Sequence, residues 1–149
     1  MNVISQYAPH GARVILGFLF LVFGLNGFFS FMPLPAYEGA SGQFLGGLAA
    51  APYFFPMLKG LEVILGLALL SNRFVPLALT VLAPITFNIL TFHLFLAPAG
   101  SGMIVFIVIL QIYAMVSWRK AFSGVLRAKL PEAEETVRQS VKKVAVPAA

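Results

Sequence analysis

The chain has 149 residues, 60 % of them hydrophobic and only 10 % charged, with no cysteine and a formal net charge of +5. Such a composition is too apolar for the surface of an ordinary water-soluble domain, and the absence of thiols excludes disulfides, iron–sulfur ligation and thiolate zinc sites. Most of the basic residues lie after Trp118 or beside hydrophobic runs, where they meet anionic lipid rather than nucleic acid.

In chain order, the opening MNVISQYAPHGAR lacks the basic region of a cleavable signal and leads into a long apolar run, which is expected to stay as a first span. That span, Val14 to Met32, is uncharged and long enough to cross a core of about 30 Å at about 1.5 Å per residue. PLPAYEGASGQFLGGLAAAP, residues 33–52, reads as a loop or lid with a short interfacial helix starting after Ser41. Tyr53 to Leu70 forms span two, and Phe74 to Ala97 span three, with Pro76 in its first turn, where a missing donor is tolerated. APAGSG makes a tight turn, and Met103 to Trp118 is a shorter fourth span closed by an interfacial tryptophan and Arg119–Lys120.

Arg13 precedes span one, Arg73 lies between spans two and three, and Arg119 with Lys120 follows span four, while the other two loops have no Lys or Arg. The positive-inside rule then sets both termini in the cytoplasm. These elements predict an all-α integral membrane protein: a four-helix bundle over residues 1–120 and a cytoplasmic tail over 121–149. In the tail, PEAEETVRQSVKK has the charge order of a short helix, with Pro131 and Glu132 near its start, Lys142 and Lys143 near its end and a Glu134–Arg138 pair; a solvated, frayed tail is the alternative.

The stretch FPMLKGLEVILG places Lys59 and Glu62 inside span two. A charge at the centre of a span costs about 2.5–3.5 kcal/mol, so both side chains should face protein or water, and a spacing of three keeps them on one face with Gly66. Two readings stay open: an internal ion pair that orients the helix, or a proton- or ligand-responsive site. The same topology puts Asn26 in the outer half of span one, Asn88 near the middle of span three, His93 in its outer third and Gln111 near the middle of span four. Pro84 frees the carbonyl of Thr80 and is expected to bend span three below Asn88. Asn88 and His93 lie about 140° apart around the helix and address different neighbours.

His10 and His93 fall towards opposite membrane faces, which disfavours bis-histidine haem, and no metal cluster, P-loop, dinucleotide fingerprint or nucleophile elbow has the required spacing. What remains is a set of polar groups in a Phe- and Met-rich lining, suited to an apolar ring with polar substituents such as a quinone; the plainer reading of the phenylalanines is lipid-facing surface.

RVILGFLFLVFGLNGFF, FPMLKGLEVILGLALLSNRFVPLAL and PITFNILTFHLFLAPAG together resemble DoxX-like membrane proteins, over about residues 13–120. The resemblance implies a four-helix bundle in the bacterial cytoplasmic (inner) membrane. It links the chain to a group that includes a subunit of a thiosulfate:quinone oxidoreductase and other proteins that look like assembly factors. After span four, SWRKAFSG departs from the Gly-rich segment and acid usual there. The leading expectation is a redox accessory subunit that binds quinone or another small lipophilic ligand, without a covalent cofactor, through Asn26, Lys59, Glu62, Asn88, His93 and Gln111. Its partners would be the bilayer and a membrane or redox protein. The rival is a non-catalytic scaffold or assembly factor that contacts other membrane subunits. Proton-coupled solute passage ranks lower, since four helices leave little room for a pore unless the chain forms a homodimer.

Overall fold

The computed structural model describes residues 3–123 and residue 140. All regular structure among the described residues is helical: α1 (Val3–Phe29), α2 (Gly39–Ala49), α3 (Phe54–Leu70), α4 (Val75–Phe95) and α5 (Ser101–Ser117), with single 3₁₀ turns at Pro98–Gly100 and Arg119–Phe122. The chain divides into two compact units, Met1–Arg119 and Lys120–Ala149. The tail helix expected from Pro131 onward, with its Glu134–Arg138 pair, lies outside the described residues.

Helices α3, α4 and α5 begin and end within two residues of the limits set by hydropathy. Three boundaries differ. Helix α1 starts at Val3, not Val14, and runs through Pro9, because hydropathy marks the length immersed in lipid and not where helical backbone begins. It stops three residues short of Met32, where Ser30 turns left-handed at φ 49° and its N–H donates to the carbonyl of Asn26 at 2.9 Å, a helix-terminating cap. Helix α2 starts at Gly39, so Ser41 lies inside its first turn and donates its hydroxyl to the Glu38 carbonyl at 2.8 Å.

Among the described residues, three helical segments are long and apolar enough to cross a membrane: Tyr7–Phe29, Val75–Phe95 and Pro98–Ser117. Helices α2 and α3 meet at 89° and together pass the same test as a broken or re-entrant span. Each of α3, α4 and α5 buries one stripe at a spacing of three or four, such as Glu62, Leu65, Gly66 and Leu69 on α3 or Ile104, Ile107, Gln111 and Ala114 on α5. The faces turned outward are apolar, with Phe18, Ile64, Phe87, Phe95 and Ile109 all at least half exposed, whereas Arg13, Asn26, Glu62, Thr86 and Gln111 are buried. Polar inside and apolar outside inverts the pattern of a water-soluble protein and matches a hydrocarbon surround.

The closest helix seam joins α1 to α3 and is built on glycine. A methyl group added at Gly66 would stand 2.7 Å from the backbone nitrogen of Leu21 and 2.8 Å from the carbonyl oxygen of Gly17; one at Gly24 would stand 2.9 Å from the backbone nitrogen of Val63. Without a hydrophobic driving force between helices in lipid, such backbone approach is what supplies dispersion contact. Arg13 closes the same seam at its end. The last turn of α3 is completed by Asn72, left-handed at φ 57°, with Arg73 N–H donating to Ala68 at 3.0 Å and Asn72 N–H to Leu69 at 3.2 Å. The buried Arg13 guanidinium reaches across from α1 and donates to the carbonyls of Leu69 and Leu70. A cation at the negative end of a helix is held by its dipole as well as by these bonds.

Candidate functional site

Lys59 and Glu62 form an ion pair within α3, Nζ to Oε2 at 2.8 Å one helical turn apart, with side chains 24 % and 2 % exposed. Glu62 is held by the α1–α3 seam: the missing side chain at Gly24 leaves room for its Cβ, and Gly27 leaves room for the methylene stem of Lys59. Two glycines one turn apart on α1 thus admit an acid and the stem of its base. Glu62 Oε1 accepts no hydrogen bond, and Lys59 Nζ makes no bond beyond Oε2, among the described residues. The pair therefore keeps both an acceptor and donors available.

The remaining sequence-derived candidates do not converge on it through direct bonds. Asn26 is buried, yet its amide is satisfied by the chain that follows α1: Oδ1 accepts from Met32 N–H at 2.6 Å and Nδ2 donates to the Met32 carbonyl at 3.3 Å. Gln111 is buried between helices and donates from Nε2 to the Leu79 carbonyl of α4 at 3.0 Å, while its Oε1 has no partner. Leu79 and His93 lie on one helix about 21 Å apart along its axis, so Gln111 and His93 cannot line a single small cavity. His93 shares a 2.9 Å hydrogen bond between Nδ1 and the Ile89 carbonyl, and its ring edge rests on Gly100. His10 packs edge-on to Trp118 at 5.7 Å, so the two histidines sit at opposite ends of α5. Asn88 is exposed on α4 and its amide has no hydrogen bond among the described residues.

The amide bonds predict opposite outcomes for two buried residues. Asn26→Leu leaves the Met32 N–H and carbonyl without partners and is expected to destabilise by about 1–3 kcal/mol; Gln111→Leu removes a buried acceptor that has no partner and is expected to be close to neutral. Thermal unfolding in detergent distinguishes them.

Near the C-terminal end of α4, Phe92 is a ring hub: Tyr37 lies against it edge-on at 5.4 Å, Phe44 at 5.7 Å and His93 at 5.2 Å. Those contacts dock the segment carrying α2 on the end of α4. The sequence reading missed this hub because it treated residues 33–52 as a lid without an anchor, although Tyr37 and Phe44, seven residues apart and flanking the start of α2, were the available signal. It also used Arg13 only as a topological charge and not as the cap of α3.

These features define a helical membrane protein whose internal charges and amides are enclosed by helices with apolar outer faces. No family model, no curated protein and no solved structure matches the chain.

Proposed function

We propose that the chain is a DoxX-like protein of the bacterial cytoplasmic membrane, with four spans and both termini inside, that binds a small lipophilic carbonyl compound such as a quinone at Lys59 and Glu62. The orientation is supported by charge. Arg13 touches the end of α3, Arg73 follows it, and Trp118 beside His10 puts Arg119 at that same end, the arrangement the positive-inside rule associates with the cytoplasm.

The observation that carries the binding reading is a 2 % exposed carboxylate whose Oε1 is unpartnered, next to an ammonium with N–H groups left over. This donor and acceptor set fits a ring carbonyl and its reduced hydroxyl. A bound quinone would supply the electron chemistry. Lys59 would donate a hydrogen bond from Nζ, Glu62 Oε1 is the atom able to take a proton, and the surrounding apolar helices keep water out. Asn26 and Gln111 are then positioning residues of the bundle and not ligand contacts. The protein's role would be that of a redox accessory subunit whose electrons come from and go to a partner.

A scaffold or assembly role is favoured by a different observation: Arg13, Asn26 and Gln111 all direct their donors to the protein's own backbone. Native mass spectrometry of protein extracted in lipid nanodiscs separates the two. The ligand reading expects a retained small molecule that is lost in Glu62→Gln, with the variant still folded and inserted. An unliganded chain with one stoichiometric protein partner, unaffected by Glu62→Gln, supports the scaffold and overturns the ligand reading.

A further inference from the structure

Helix α4 carries a second polar feature, on its outer surface and independent of the Lys59–Glu62 site. Leu77, Val81, Pro84, Asn88, Thr91 and Phe95 recur at spacings of four, three, four, three and four, which aligns them along one side of the helix. Four of the six, Leu77, Pro84, Asn88 and Phe95, are exposed and the other two are partly so. Among the described residues, no helix covers this side.

In the middle of this stripe the chain exposes hydrogen-bonding capacity that hydrocarbon cannot satisfy. The Asn88 amide has two donors and an acceptor with no partner among the described residues. It lies about 20 Å along a helix about 31 Å long, well away from both ends and from headgroup water. One turn earlier, Pro84 has no N–H to give the Thr80 carbonyl, so backbone polarity rises on the same side. The other polar side chains of α4 do bond within the helix: Thr80 to the Pro76 carbonyl, Thr86 to Leu82, Thr91 to Asn88 and His93 to Ile89. Asn88 is the exception.

We propose that this stripe is a homodimer interface in which Asn88 of one copy bonds Asn88 of the other. The occupant follows from chemistry. A carboxamide is both donor and acceptor, so it is complementary to itself, and two copies inserted with the same orientation and related by a two-fold axis along the membrane normal bring the same residue of a central stripe face to face. Two reciprocal N–H···O bonds then satisfy each amide without water. An exposed charge would have needed a different partner, and a purely apolar stripe would have been served by lipid. The 3-4 spacing further allows the two copies of α4 to pack along their whole length in a left-handed crossing.

The absence of native cysteine makes the test clean. Single substitutions Leu77→Cys and Phe95→Cys lie on the stripe near its two ends, while Ile64→Cys on α3 and Ile109→Cys on α5 lie on other exposed surfaces. Oxidation in native membranes is expected to yield disulfide-linked dimers from the first two and not from the second two. Adding Asn88→Leu should reduce that cross-linking and weaken dimerisation about tenfold in a fluorescence-transfer titration over the protein-to-lipid ratio; Asn88→Gln, which keeps the amide, should restore most of it. Because the Asn88 side chain makes no hydrogen bond to another described residue, monomer unfolding temperature should not fall. A monomer at every ratio, equal cross-linking from all four positions, or dimerisation indifferent to Asn88→Leu would each overturn the proposal. None of these results bears on ligand retention at Glu62, so the two readings fail separately.

Discussion

Lys59→Met is expected to destabilise the folded protein by about 3–5 kcal/mol, because it leaves Glu62, 2 % exposed, without its counter-charge at 2.8 Å. Glu62→Leu strands the ammonium instead, but Lys59 is 24 % exposed and its long stem can carry the charge towards water, so the loss should be smaller. The double variant Lys59→Met with Glu62→Leu removes both charges and should recover most of the stability lost in Lys59→Met. Denaturant titration in mixed micelles measures all three and gives the coupling between the residues directly. Near-additive losses in the double variant would mean that the two side chains matter independently, and the account of the pair as one unit would fall. The recovered double variant has a second use, since it is a folded protein lacking both proposed ligand-binding groups.

Gly66→Val should be the other large loss. The atoms a new Cβ would meet, Leu21 N at 2.7 Å and Gly17 O at 2.8 Å, are backbone of the facing helix and cannot rotate aside. Relief requires α1 and α3 to move apart, which also loosens the contact of Gly24 with Glu62 and Val63. The expected cost lies at or above the upper end of the about 1–3 kcal/mol usual for overpacking. Gly60→Ala in the same helix is the control: nothing stands within 4 Å of its added methyl, so it should be neutral or stabilising by up to about 1 kcal/mol. If both variants unfold together, close backbone approach is not what joins the helices.

The helices were legible in the sequence because their ends are written in charges and turn formers. Asn72 and Arg73 stop α3, Pro76 starts α4, and Trp118 with Arg119 follows α5, so those limits agree to within two residues. The start of α1 was not legible, since residues 3–13 mix polar and apolar side chains and helical backbone continues without a hydropathy signal. For the site, spacing alone put Lys59, Glu62 and Gly66 on one face, and the structure has the first two bonded and the third against α1. Spacing could not say which neighbour each amide would find. Asn26 bonds Met32 because α1 ends three residues after it and the chain folds back, a local turn that hydropathy does not encode. Asn88 and Gln111, both assigned to mid-depth, differ completely in burial. Inside or outside was decided by the rotation of α4 against its neighbours, and its nearly uniform apolar surface offers no moment from which to read that rotation.

Helix α3 has 17 residues, carries a lysine and a glutamate, and finishes with carbonyls held by Arg13 of α1. Left alone at the ribosome exit, such a segment is a poor candidate for release into lipid: it is only about 26 Å long and two of its side chains are ionic. On a four-span topology, α1 has to wait beside the translocation channel until α3 emerges, and the two must partition as a hairpin. Biogenesis of this small protein would then depend on the pairing of its first and third helices before the last two are made.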